Sequence, residues 1–133
     1  MAKYIDKLEF HNLLKLYHET KSRKSYDEIG KRFLLIAQNY INKPRYINYT
    51  DAWKDDLVSE AVYDMVRYVH NYDVDRMDLM YTETGKIPDP FSYFSQYCEN
   101  GMTRYLRERY KDMQVMVKLP FIENMDKREL SYE

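Results

Sequence analysis

The sequence predicts an all-α protein, a compact bundle of about four helices with an extended C-terminal tail. Apolar residues recur at helical spacing in four separate stretches of the 133-residue chain. Glycine and proline number only three and four, which argues against an all-β fold with many tight turns and against glycine-rich nucleotide loops. The length suits one domain with a tail and leaves no room for two independent catalytic domains.

The first predicted helix covers about residues 7–19. The second is expected to begin near Ser25 or Asp27, because Ser25 and Glu28 have the spacing of a capping box. It ends before Pro44, since proline disfavours a helical conformation in the residue that precedes it.

The third predicted helix follows an N-cap at Thr50 or Asp51 and runs to about His70. A connection over residues 71–89 comes next. It is longer than the usual loop of a compact domain, which indicates a functional or mobile segment.

The fourth predicted helix opens with Pro90 after Asp89 as its N-cap and continues to about Lys111. Residues 112–133 are expected to form the tail, because the apolar alternation over 115–120 is typical of an extended chain. The sequence therefore divides into a helical domain over residues 1–111 and a tail.

Charge and cysteine content narrow the function classes. Lys and Arg number 21 against 22 Asp and Glu, and this net charge of −1 excludes a uniformly basic coat, so any nucleic-acid contact must come from local segregation of charge. One cysteine excludes a disulfide framework and a cysteine-based zinc site. No apolar run reaches the length of a membrane span, and the charged N-terminus is unlike a signal peptide, so we expect a cytoplasmic protein.

No catalytic or metal-binding constellation stands out. The three histidines do not pair with carboxylates at metal-ligand spacing. Asp73, Asp75 and Asp78 lack the central glycine and the terminal glutamate of a calcium loop. Cys98 falls on the apolar face of the fourth helix, and no nucleophile has a neighbouring base. We therefore expect no metal, no cofactor and no enzymatic activity.

The outer face of the fourth helix changes along its axis from aromatic, through amide, to basic. Its residues are Tyr93, Tyr97, Asn100, Arg104, Arg107 and Lys111. Aromatic rings stack on unpaired bases, amides bond to base edges, and cationic groups neutralise phosphates. The pattern indicates nucleic-acid binding, and a protein-interaction helix with surface tyrosines is the alternative that it leaves open.

The free face of the third helix is acidic. Asp56, Glu60 and Asp64 lie at i, i+4 and i+8, where like charges repel. A basic partner surface would relieve this repulsion. A solvated acidic face without a partner is the alternative.

Several motifs in one order resemble the conserved domain of bacterial sigma factors. The run DLVSEAVYDMVRYVHNYD at 56–73 is similar to the family's helix of form D-L-x-Q-E-G, which docks on the clamp helices of RNA polymerase. The run PFSYFSQYCENGMTR at 90–104 resembles the helix of this family that melts the promoter and reads the minus-ten element. Residues 115–120 are similar to the short extended stretch that follows that helix.

The small late-transcription sigma factors of tailed bacteriophages are a closer resemblance. They share Y-T-x-x-W-K, here at 49–54, H-N-F/Y-D, here at 70–73, and P-x-x-Y-x-x-Q-x-C-x-N, here at 90–100. The resemblance covers roughly residues 28–111. It implies a non-enzymatic factor that binds the host RNA polymerase core in the infected cell. There it would direct the polymerase to late phage promoters by recognising and helping to melt the minus-ten element.

The resemblance and the two helix faces together give the expected sites. The polymerase-binding residues would be Asp56, Ser59, Glu60, Tyr63 and Asp64, and the DNA-binding residues Tyr93, Gln96, Tyr97, Asn100, Thr103, Arg104, Arg107 and Lys111. Tyr93 and Tyr97 match the aromatics that capture the flipped adenine, whereas Gln96 replaces a tryptophan of cellular factors, so melting by this protein alone should be poor.

The expected partners are the polymerase core and promoter DNA, with a phage co-activator as a further candidate partner. Residues 129–133 are a candidate for the flap contact that a short C-terminal segment makes in the phage factors, and the sequence leaves this contact open. A phage co-activator or inhibitor that binds the polymerase without reading DNA is the alternative function.

Overall fold

The computed structural model describes residues 6–118, with side chains as far as Met113. This part of the chain contains five α-helices and no strand, which confirms the all-α prediction and corrects the helix count from about four. The helices are α1 (Lys7–Thr20), α2 (Arg23–Tyr40), α3 (Asp51–Arg67), α4 (Val74–Thr84) and α5 (Pro90–Lys118), with a 3-10 turn at Val69–Asn71. None of the described helices has the length and apolar character needed to cross a membrane.

Short polar side chains cap the helix starts. Of the two predicted caps of the third helix, Thr50 is the N-cap rather than Asp51, and the predicted cap Asp89 is confirmed, since Thr50 and Asp89 accept hydrogen bonds from the backbone N–H groups of Trp53 and Ser92. The predicted start of the second helix is wrong. Ser22 accepts the backbone N–H of Ser25 at 3.2 Å, so α2 begins earlier and Ser25 lies buried in its first turn.

Two further predictions of local structure need correction. The connection between the third and fourth predicted helices contains α4, which was missed because Val74 is its only fully buried residue and gives no apolar stripe. The extended tail does not begin at residue 112, because α5 continues to Lys118. Pro120 is the first residue after Lys111 that opposes a helix, and residues 119–133 lie outside the described part.

Three phenylalanine rings from three helices meet in the core. Phe10 of α1, Phe33 of α2 and Phe94 of α5 are fully buried, with ring centroids 4.8–6.2 Å apart. Leu57, Ala61 and Met65 of α3 and Cys98 and Met102 of α5 extend this core along the bundle. Burial of so many apolar side chains is the main stabilising contribution to the fold.

Gly101 lets α3 and α5 approach closely. A Cβ atom at this position would lie 3.0 Å from the backbone oxygen of Glu60 and 3.2 Å from the Cα atom of Ala61. Any larger side chain would push the helices apart, because the contacting atoms belong to the backbone. The two helices with the predicted sites therefore pack directly against each other.

Candidate polymerase and nucleic-acid interface

The two tyrosines of the α5 face are half-buried rather than freely exposed. The Tyr93 and Tyr97 hydroxyl oxygens are 3.3 Å apart, and the two rings meet edge to face. Burial, together with the hydrogen bond to Tyr97, raises the pKa of Tyr93 to about 12. The Tyr93 phenol therefore stays protonated at neutral pH and can donate a hydrogen bond.

Tyr68, at the C-terminal end of α3, covers one face of the Tyr97 ring. The two rings are stacked with centroids 4.9 Å apart and an interplanar angle of 18°. Tyr72 packs edge to face on Tyr93. An unpaired base can therefore reach only the parts of Tyr93 and Tyr97 that these neighbours leave uncovered. Sequence reasoning assigned no role to Tyr68, because its stacking partner is remote in the chain.

Five predicted DNA-binding residues line one open groove of about 440 Å³. They are Gln96, Asn100, Thr103, Arg104 and Arg107, and the groove is completed by Arg45 and Glu99. Gln96 Nε2 donates a hydrogen bond to Asn100 Oδ1 at 3.1 Å, which orients both amides. Tyr93, Tyr97 and Lys111 are not part of this lining.

Arg45 and Glu99 are groove residues that sequence reasoning missed. Arg45 lies in the loop between α2 and α3, and its Nη1 atom is 3.0 Å from Glu99 Oε1. Its Nη2 atom donates to Thr103 Oγ1 at 3.4 Å. Tyr40 donates its hydroxyl to the second carboxylate oxygen of Glu99 at 3.2 Å. The loop thereby places a cation opposite the polar face of α5.

Arg104 does not project into the groove as a free phosphate ligand. Its Nη1 atom lies 2.7 Å from both carboxylate oxygens of Asp64, and its Nη2 atom lies 2.8 Å from Glu60 Oε2. These two carboxylates raise the pKa of Arg104, with the hydrogen bond to Asp64 as the largest cause. We expected a basic partner to relieve the repulsion between the acidic residues of α3. For Glu60 and Asp64, Arg104 of the same chain already supplies that positive charge.

The predicted polymerase-binding residues separate into two groups. Asp56, Ser59 and Tyr63 lie on the exposed side of α3, and Tyr63 is 59% exposed. Glu60 is half-buried beside Arg104, and Asp64 is only 3% exposed, so Asp64 is not accessible to a partner. Only the first group forms an accessible strip.

Tyr105 supports this strip from α5. Its hydroxyl donates to Asp56 Oδ2 at 2.7 Å. Burial and the bond to this carboxylate raise the pKa of Tyr105.

A polar cluster joins α1 to α4. His11 is 1% exposed, and its Nε2 atom is 2.6 Å from Asp78 Oδ1 while its Nδ1 atom is 2.8 Å from the Tyr72 hydroxyl. Lys15 lies 2.9 Å from the other oxygen of Asp78. The hydrogen bonds from Lys15 and His11 lower the pKa of Asp78. Because α4 buries little apolar surface, this cluster is the main polar tie between α4 and the bundle.

Among residues 6–118, no three His, Cys, Asp or Glu side chains come together in a way that could hold a metal ion. No protein-family model matches the chain, and a search of curated proteins finds no significant similarity. Function therefore has to be inferred from the residues and their geometry.

Proposed function

We propose that this protein is an RNA polymerase sigma factor that binds the core enzyme of a host bacterium and directs it to late phage promoters. The observation that carries the proposal is the pairing of two surfaces on adjacent helices. The exposed strip of α3 offers Asp56, Ser59 and Tyr63, and the polar groove of α5 offers amides beside cations. One rigid unit can thus hold a polymerase and present a second face to DNA.

The α5 face suits an opened minus-ten element. Flipping a base out of the stack costs a few kcal/mol, and stacking on aromatic rings returns roughly 1–3 kcal/mol per base. The accessible parts of Tyr93 and Tyr97 supply the aromatic contact, and Gln96 and Asn100 can bond to base edges. The protein lowers the cost of strand opening and carries out no covalent step.

The cations of α5 predict weak DNA binding without polymerase. Arg104 is held by Asp64, so Arg107 and Lys111 remain as the exposed cations of the predicted set. Affinity for DNA falls when few phosphates are neutralised, and the net charge of −1 adds no general attraction. Polymerase binding through α3 would supply the missing free energy by holding α5 at the promoter.

A co-activator or inhibitor that binds polymerase without reading DNA is the second candidate. It is favoured by the internal contacts of two predicted DNA ligands, since Tyr68 covers one face of Tyr97 and Arg104 bridges to α3. In that case the aromatic cluster would only stabilise the bundle, and the strip of α3 would be the sole functional surface.

Run-off transcription with core polymerase on phage DNA separates the two candidates. We expect the double variant Tyr93→Ala and Tyr97→Ala to retain core binding and to lose promoter opening, measured with permanganate. The matched double variant with Phe at both positions keeps the rings and should retain most opening. Unchanged transcription with the Ala variant would exclude DNA reading. Failure of the unaltered protein to associate with polymerase would exclude both candidates.

A further inference from the structure

Glu99 lies where two grooves on the α5 surface meet. The first is the polar groove that Arg45 closes. The second, of about 280 Å³, lies between α2 and the N-terminal half of α5, and its lining includes Tyr40, Lys43 and Phe91. Gln96 and Glu99 belong to the lining of both grooves. A strand that followed the two grooves would therefore pass the Glu99 carboxylate.

Both partners of Glu99 come from the end of α2 and the loop that follows it. The carboxylate accepts hydrogen bonds from Arg45 and from Tyr40. The Arg45–Glu99 pair is open to solvent, because its side chains are 53% and 36% exposed. Exposed pairs of this kind contribute little free energy, so a competing anion can separate them. The Arg104–Asp64 pair differs, since Asp64 is buried.

We propose that Glu99 takes the place of a nucleic-acid phosphate, holding Arg45 across the groove until a backbone phosphate of single-stranded promoter DNA replaces it. This inference rests on the proposed role of the α5 face in DNA binding. It adds Arg45 to the phosphate ligands and assigns Glu99 as the residue that restrains it.

The exchange follows from the chemistry of the guanidinium group. Its planar set of donors fits a carboxylate and a phosphate in the same way, so one acceptor can replace the other without moving the loop backbone. Lys43 stands beside the second groove, with its Nζ atom 4.0 Å from the centroid of the Tyr40 ring. A strand that displaced Glu99 would meet both cations of the loop.

The carboxylate also discourages binding at the wrong time. While Glu99 holds Arg45, the positive charge of Arg45 is neutralised and is not available to a phosphate. The Glu99 carboxylate also repels an approaching phosphate. A strand already held next to α5 by the polymerase has a high effective concentration and can still displace the carboxylate. The pair would therefore weaken binding of free single strands more than binding within the polymerase complex.

Glu99→Gln tests the proposal against Glu108→Gln as a matched control. Both changes remove one negative charge from α5. Glu108 is exposed and nine residues further along, two and a half turns, so it lies on the opposite side of the helix. Binding of the full chain to a fluorescent single-stranded DNA oligonucleotide is measured over a series of salt concentrations.

We expect Glu99→Gln to bind about two- to fivefold more tightly than the unaltered chain, as loss of an exposed competing ion pair predicts. Its salt dependence should steepen by up to roughly 0.7 in log–log slope, the effect of one more phosphate contact on a single strand. Glu108→Gln should give a clearly smaller gain, because its charge acts only over a distance.

Arg45→Ala decides whether the gain passes through the proposed pair. In an Arg45→Ala background, Glu99→Gln should give no more tightening than Glu108→Gln. A gain that survives this change would overturn the proposal, as would equal effects of the two glutamine variants or no measurable binding by Glu99→Gln at low salt. Transcription is scored separately, so a chain that showed the Arg45–Glu99 coupling but supported no transcription would refute the proposed function alone.

Discussion

Arg104 of α5 places its Nη1 atom 2.7 Å from both carboxylate oxygens of Asp64 on α3. Asp64 is almost completely buried, and Arg104 is about one-third exposed. A second bond from Arg104 to Glu60 anchors the same guanidinium group. Glu60 and Asp64 of α3 are therefore the counter-ions of Arg104. The positive charge of Arg104 compensates the repulsion between these two carboxylates.

Removing Arg104 should destabilise the fold because it leaves the Asp64 carboxylate buried without a partner. We expect Arg104→Ala to lower the free energy of unfolding by about 2–3 kcal/mol, below the roughly 3–5 kcal/mol of a fully buried pair because Arg104 is partly solvated. Arg107→Ala is the control and should change stability by less than about 0.5 kcal/mol. Urea unfolding measures both. Equal losses of stability would show that the Arg104 bridge carries little free energy.

Gly101 and Gly30 give a contrast between two helix-interior glycines. Gly101→Ala should destabilise the fold by about 1–3 kcal/mol, because its Cβ would press on backbone atoms of Glu60 and Ala61. Gly30→Ala should instead stabilise by about 0.5–1 kcal/mol, since no other described part of the chain comes within 4 Å of a Cβ atom built there and alanine favours the helix. Thermal unfolding of the two variants checks the signs. A stabilising Gly101→Ala would contradict the close packing of α3 on α5.

The Asp78 cluster predicts a stability change at acid pH. The pKa of Asp78 is lowered in the folded state, so its stabilisation is present above the unfolded pKa of about 4 and is lost as the pH falls through the folded value. Asp78→Asn should cost up to about 1 kcal/mol at neutral pH, because a charge-assisted hydrogen bond becomes a neutral one.

The difference between Asp78→Asn and the unaltered chain should shrink as the pH falls below about 4. Asp27→Asn is the control, since among the described residues Asp27 pairs with the highly exposed Arg23, and it should change little at any pH. Denaturant unfolding across the acid range supplies the measurement. A difference that stays constant with pH would mean that ionisation of Asp78 contributes nothing.

The exposed strip of α3 can be tested without disturbing the bundle. Asp56→Lys and Tyr63→Ala should each weaken binding to core polymerase by about tenfold or more, as expected of residues at the centre of an interface. Their unfolding free energies should change little, because both side chains are solvent-exposed and Asp56→Lys removes only the exposed hydrogen bond from Tyr105. Asp27→Lys makes the same charge change on α2 and should leave binding intact. Competition binding to immobilised core enzyme measures the affinities. Equal affinities of the three variants would exclude the exposed strip of α3 as the polymerase-binding surface.

Glu60→Lys is unsuitable for the same test. It would place a cation beside Arg104 and remove one of its two acceptors. Loss of binding would then report a damaged bundle rather than a lost contact.

Structure that depends on residues close together in the chain could be predicted from the sequence. Contacts between residues far apart in the chain could not. The caps Thr50 and Asp89 were predicted because their hydrogen bonds span only three residues. The contacts of Arg45 with Glu99 and of Arg104 with Asp64 join residues 54 and 40 positions apart, and no local pattern specifies them. Helix periodicity correctly placed polar residues on the outer side of α5, yet it could not tell which of them already had internal partners.

The uninterrupted length of α5 has a mechanical consequence. Its 29 residues form a rod of about 43 Å that begins beside the tyrosine cluster and continues past Leu106, its last buried residue in the described part. Because Phe94, Cys98 and Met102 of the same rod are buried in the bundle, a force applied near Lys118 would be carried into the core. Any body that grips the distal end of this rod would therefore move the helical unit, and Tyr93 with it, as one piece.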